Sequence, residues 1–428
     1  MNQNSIKIES IFKIVLYLVL ASSSLFLLVN RYQYLGIFSI LALLFLAILF
    51  LFFKRKITSY HSDLIGLLLI IYLYFILSYF ISGQPFNAFF SYSFLRYDGN
   101  FFFAYIPFFA LAIPYFNYKE VFKIYISFLF ITFSIFSIIG IYGYFSNNLV
   151  FSMFQTVADR GVMFEALNNA HNATGSVFAV ISVILLAFFL RERKKVKILY
   201  FFVLILCLAG LLMTKSRGSY VGFAAGAVIV LWFFYRSWRK FAITMSVIIT
   251  ISTLTVFLTG IYKKIPSIFN LTEGTSGVRL ELWGKAWYLF SQSPIFGVGF
   301  ARYNDIGYGN IKLTGTPQIA SFFMEPKFDF SSAHAHNSYL QFLAETGFIG
   351  LVLLLLFWVL CYLRILEAYD FTKDEFSKKI FLSGLGIIVA LFALSLTENY
   401  FSATTIMMCT SVFISLSIGL FWQEKYSK

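Results

Sequence analysis

Charge is scarce in this sequence. Asp, Glu, Lys and Arg make up 12% of its 428 residues, where a soluble domain carries about 25%. The three cysteines, Cys207, Cys361 and Cys409, lie in or beside apolar runs. Their spacing fits neither a disulfide framework nor a zinc site, so they read as core or lipid-facing thiols. No Asp-x-Asp pair is present to hold a divalent ion on a diphosphate. No repeat of 20 to 50 residues appears, and no stretch reads as a separate soluble domain. The first apolar run has no clear cleavage site after it and is too long for a signal peptide, so it reads as a retained membrane helix.

Apolar residues make up 60% of the chain and aromatics 21%, with 56 Phe. That composition predicts an all-α polytopic membrane protein. A helix crosses the hydrocarbon with about 20 apolar residues. Runs at roughly 11–29, 34–53, 63–82, 100–116, 121–146, 172–190, 197–214, 219–235, 241–262, 346–363, 380–396 and 400–422 predict about twelve spans. The net charge of +14 points to the positive-inside pattern rather than to nucleic acid: with both termini in the cytoplasm, 21 of the 33 Lys and Arg fall on the cytoplasmic side. The expected division is helices one to nine over 1–262, an outer loop over 263–345, and helices ten to twelve with a cytoplasmic tail over 346–428. The outer loop holds seven basic and six acidic residues, so individual side chains matter there rather than bulk charge.

Three polar constellations stand out against this background. Lys215 and Arg217 occupy a tight turn, MTKSRGSYVGF, between two apolar runs. They suit either snorkelling at an interface or an anion clamp, since the Arg fork matches phosphate. Next, apolar residues from Val278 to Phe290, with Trp283 and Trp287 among them, recur at helical spacing and predict an interfacial amphipathic helix. Capped by Thr275 or Ser276, it places Arg279 in its first turn, where an anion would relieve the clash between cation and helix N-terminus. It ends at Pro294, Gly297 and Gly299. Last, SSAHAHNSYLQFLAETGFIGL carries His334 and His336, half of the four histidines in the chain. Asn337 is placed to cap the helix that follows. Gly347 and Gly350 leave a groove below His336 for a helix or a lipid chain. A neutral histidine suits general-base work near pH 7. A metal pair at His334 and His336 is the alternative, but no third ligand appears at a convincing spacing.

These motifs resemble the signature of the O-antigen ligase family, whose superfamily also holds O-antigen polymerases and bacterial O-oligosaccharyltransferases. The resemblance rests on His336-Asn337 followed by Gly347 and Gly350, the Ser216-Arg217-Gly218 turn, and Arg279-x-x-x-Trp283 followed by Pro294-x-x-Gly297-x-Gly299. It implies a GT-C-like membrane fold with one large periplasmic loop, in the bacterial inner membrane, and a metal-independent glycosyltransferase without a cofactor. The implied donor is a glycan on undecaprenyl diphosphate. The implied acceptor is a lipid A–core sugar (ligase) or a second lipid-linked glycan (polymerase), with a protein acceptor ranked below both. Arg217 and Arg279 would bind the diphosphate, with Lys215 assisting, and His336 would act on the acceptor hydroxyl. Supporting positions are Arg160 and His171 at the outer mouth of the sixth run, Tyr339 against a sugar or lipid, and Glu398 in the short turn LTENY. A carboxylate there is expected to pair with Arg217 or Arg279. A transporter is a different class of reading, but its usual midplane charges are not seen in the runs.

Overall fold

The computed structural model describes residues 62–89, 100–111, 117–146, 155–158, 161–164, 171–258, 274–304 and 334–426. The helices are α1 Ser62–Ile81, α2 Phe86–Phe89, α3 Asn100–Ala104, α4 Ile106–Leu111, α5 Tyr118–Ser146, α6 His171–Arg191, α7 Val196–Met213, α8 Arg217–Tyr235, α9 Trp238–Leu258, α10 Gly274–Gln292, α11 Ser338–Phe371, α12 Glu375–Leu394 and α13 Thr404–Tyr426. Eight of them, α1, α5 to α8 and α11 to α13, contain stretches long and apolar enough to cross a membrane. The expected runs at 11–29 and 34–53 lie outside the described residues.

The described residues are helical as expected apart from one short hairpin, in which Gln155–Ala158 (β1) pairs antiparallel with Gly161–Phe164 (β2), Gln155 opposite Phe164. Two expectations change. The fourth run, read as one span, is two short helices. Pro107 lies at the start of α4, where its missing N–H costs nothing, whereas a continuous helix would set its ring against the carbonyl four residues back. The tenth run also starts earlier than its apolar core, at Ser338, and carries a break at Gly347 (φ 65°, ψ −170°). The expected boundary at 345/346 falls beside that break.

Helices α6, α8 and α12 pack closely together, and α13 is almost wholly buried beside them. The antiparallel pair α6 and α12 has unlike ends. One end holds ion pairs: Lys379 Nζ to Glu192 at 2.5 Å, Arg191 to Glu375 at 3.1 Å, and Lys119 to Asp374 at 2.7 Å. The other end holds His171, at the start of α6, and the turn after α12. A 20-residue helix separates the ends by about 30 Å. Cys207, Cys361 and Cys409 are buried and free, as core thiols should be.

The break at Gly347 leaves backbone groups that a helix would have paired. All four that matter find partners in the turn after α10: Val298 N–H donates to Ala344 O, Gly299 N–H to Glu345 O, Phe348 N–H to Pro294 O, and Ile349 N–H to Ile295 O. A buried unpaired peptide group is expensive. So Pro294–Gly299 and Gly347 belong to one structural unit, although 50 residues of chain separate the two glycines Gly297 and Gly347. Gly350 packs against Thr346 and Tyr74. The groove expected to receive a helix or lipid chain is filled at Gly347 by this turn of the same chain.

Candidate active site around Glu398

The site forms where the start of α11 meets the turn between α12 and α13. Asn337 has extended backbone, and its side chain accepts from Leu340 N–H at 3.1 Å, the N-cap expected from sequence. Such a cap is worth about 1 kcal/mol. Ser338 ties the two segments: its N–H donates to Ser395 O, its hydroxyl donates to Glu398 O at 2.9 Å, and it accepts from Phe401 N–H. Gln341 Oε1 accepts from Ala335 N–H at 3.1 Å and fixes the segment between the two histidines. His336 is held at φ 49°, a left-handed conformation rare for a non-glycine residue.

Glu398 is the hub. It is 7% exposed, and both its oxygens are engaged. Oε1 accepts from Asn172 Nδ2 at 2.8 Å and from Arg279 Nη2 at 3.2 Å. Oε2 lies 2.6 Å from His336 Nδ1 and 3.1 Å from His334 Nε2. Burial opposes ionisation of Glu398, but the hydrogen bonds and charge of His334 and His336 outweigh it and hold its carboxyl well below the usual carboxylate range. The expected partner from an arginine is therefore Arg279.

Arg217 and Lys215 stand at the neighbouring turn. Arg217 opens α8 and is exposed, and Lys215 is half-buried at φ 52°. The link runs through Ser216, whose hydroxyl donates to Asn172 Oδ1 at 2.9 Å. The turn is seated by close approach: a Cβ on Gly218 would strike Thr397, and one on Gly222 would strike Leu394.

Several expected placements change. Helix α10 begins at Gly274, so Arg279 is in its second turn and Thr275 and Ser276 lie inside the helix rather than capping it. Arg279 therefore lies beyond the turn of free N–H groups, and its neighbour is a carboxylate instead. His171 starts α6, but the residue that reaches Glu398 is Asn172. Tyr339 turns inward: its hydroxyl donates to Phe392 O at 2.8 Å, and its ring meets Phe401 edge-on. Trp283 lies one turn beyond Arg279, with its indole N–H buried. Arg160 lies outside the described residues. Asn172 was missed because an Asn in an Asn-rich run carries no spacing signal of its own.

The ligand atoms of His334, His336 and Glu398 lie within 4.8 Å of one another, so these residues could hold a metal ion. Glu398 is the third ligand that spacing did not reveal. Tetrahedral zinc ligands sit about 3.3 Å apart; the 2.6 Å between His336 and Glu398 is a hydrogen-bond distance. The Arg279 guanidinium on the same carboxylate would also repel a cation. The observed arrangement is a hydrogen-bonded one.

Residues 202–355 match the family model described as O-antigen ligase. A Haemophilus influenzae protein described as uncharacterized is 28% identical over 189 residues, which cover 41% of this chain and 45% of the relative. The chain thus spans under half of that relative's length. The family match contains Arg217, Arg279, His336 and the two glycines of the broken helix, and it supports the O-antigen ligase family to which the motifs point.

Proposed function

We propose that the chain is a membrane glycosyltransferase of the O-antigen ligase type, acting without a metal on a glycan carried by undecaprenyl diphosphate. One observation carries the reading: Arg279 and His336, the anion-binding and base candidates, meet on the single carboxylate of Glu398. Acid–base chemistry needs groups within a few ångströms of the reacting atoms, and a shared carboxylate supplies that proximity.

In this reading Arg279 and Arg217, helped by Lys215, bind the diphosphate. Their charge stabilises the leaving group as its bond to the anomeric carbon breaks. His336 takes the proton from the acceptor hydroxyl as its oxygen attacks that carbon from the opposite side, with inversion. The acceptor is a lipid A–core sugar. The site end of α6 and α12 faces the periplasm and the ion-paired end the cytoplasm, in a multi-pass inner-membrane protein with cytoplasmic termini and a GT-C-like arrangement. The segment 263–345, which carries α10 and the first turns of α11, is the periplasmic loop, with nine of the twelve expected spans before it and three after it.

The test is a purified-protein assay with one lipid-diphosphate glycan, with and without lipid A–core, read by gel and mass spectrometry. Product that requires the core acceptor supports ligation. A ladder of lengthening lipid-linked chains without core replaces it with polymerisation. Wild-type turnover by His336→Ala removes the base role.

A further inference from the structure

The proposed reaction needs one imidazole nitrogen free and aimed at the acceptor. We propose that Glu398 is the positioning residue of a Glu398–His336 dyad, keeping the proton of His336 on Nδ1 and leaving Nε2 as the atom that receives the acceptor's proton. This rests on the proposed function and deepens it.

The geometry carries the inference. An ionised carboxylate only accepts hydrogen bonds, so a nitrogen 2.6 Å from Oε2 must bear the proton in that contact. The neutral tautomer then has Nε2 bare, at the far end of the ring. Glu398 cannot easily turn away. It is buried, Asn172 and Arg279 hold its other oxygen, and Ser338 holds its backbone carbonyl. His336 is likewise fixed by its left-handed backbone between the Ala335–Gln341 contact and the Asn337 cap. That left-handed turn brings Nδ1 onto Glu398.

His334 touches the same oxygen through Nε2 at 3.1 Å. Its bare nitrogen is therefore Nδ1, beside its own backbone. Of these two histidines, His336 is the one that combines the carboxylate contact with a bare nitrogen at the ring tip. During transfer the acceptor oxygen bonds to the anomeric carbon. The electron pair of the old bond leaves on the diphosphate, and the acceptor proton moves to Nε2. The resulting imidazolium is stabilised by Glu398, as a buried acid stabilises the imidazolium in a catalytic triad.

The full-length protein in nanodiscs, with an undecaprenyl-diphosphate glycan and lipid A–core, provides the test. Glu398→Gln is expected to lower kcat by about 10²-fold or more while the donor KM rises by about threefold or less, in line with the loss of an oriented base. Glu398→Asp, which keeps the charge, is expected to recover at least about tenfold over the Gln variant on the same scale. EDTA is expected to change nothing.

Near-normal kcat in Glu398→Gln, alongside an inactive His336→Ala, overturns the dyad and leaves the proposed function standing. Full activity in both His336→Ala and Arg279→Ala overturns the proposed function itself. Loss of transfer in EDTA that zinc restores replaces the dyad with a metal site. Should Glu398→Gln fail to fold, ¹⁵N-histidine NMR of the wild-type protein decides, with His336 assigned by difference against His336→Gln. Protonated Nδ1 with bare Nε2 supports the dyad, and the reverse tautomer overturns it.

Discussion

Gly297 and Gly347 fit against each other reciprocally. A Cβ on Gly297 would come 2.5 Å from Gly347 N, and one on Gly347 would come 2.5 Å from Gly297 N. Both also have positive φ, 75° and 65°. Either alanine substitution therefore meets backbone overlap as well as the left-handed penalty of about 1–2 kcal/mol. Gly297→Ala and Gly347→Ala should each lower the melting temperature in detergent markedly. The double variant should lose less than the sum, because both strain one contact. Strict additivity would separate the two motifs energetically.

Arg279 touches Glu398 through one Nη at 3.2 Å, and its side chain is 31% exposed, so part of the guanidinium can reach a ligand. A charged hydrogen bond is worth about 1.5–3 kcal/mol. Arg279→Lys keeps the charge but loses the planar fork. Its kcat/KM for the lipid-diphosphate donor should fall by about 10- to 100-fold, the same energy expressed as a rate. Turnover within about twofold of wild type would reduce Arg279 to a charge anchor.

Asn172 and His171 are adjacent, and Asn172 joins Glu398 to Ser216. Asn172→Ala should reduce transfer by about tenfold or more, the cost of an unsatisfied buried partner. His171→Ala should stay near wild type. Equal losses, measured as initial rates on protein with matched elution profiles, would return the role to His171.

Acid should expose what Glu398 contributes to stability. Its carboxyl is held well below the usual range by the histidines, whereas in the unfolded chain it titrates at about 4.3. A group with a depressed folded value stabilises fully above its unfolded value and loses that contribution as pH falls toward the folded one. The melting-temperature gap between wild type and Glu398→Gln should therefore shrink as pH falls below about 4, from the unfolded value toward the folded one. A gap that persists unchanged at low pH would mean that Glu398 acts through packing alone.

Much of this was legible in the chain. Apolar runs marked the long helices because length and hydropathy are local properties. Asn337 announced its cap because Asn before a helix has a fixed local geometry. A carboxylate in a two-helix turn was expected to seek an arginine, and Arg279 meets it. What escaped was tertiary. Glu398 lies 62 residues from His336, so no spacing rule could make it the partner of the histidines. Gly347 read as a groove because sequence cannot show which backbone fills a gap. The start of α10 ran one turn early because Gly274, Thr275 and Ser276 signal a cap as readily as a first turn.

Helix α12 works as a measuring rod. Lys379 near its start is locked to Glu192, and four residues past its end Glu398 receives Asn172, which stands at the opposite end of the same α6. The two helices are thus pinned to each other twice, and the distance between pins is counted in residues. Each residue contributes about 1.5 Å and 100°. One residue inserted in mid-helix could satisfy the charged pin or the carboxylate pin, but not both. The register of an otherwise featureless apolar stretch therefore sets the height and facing of the carboxylate on which Arg279 and both histidines converge.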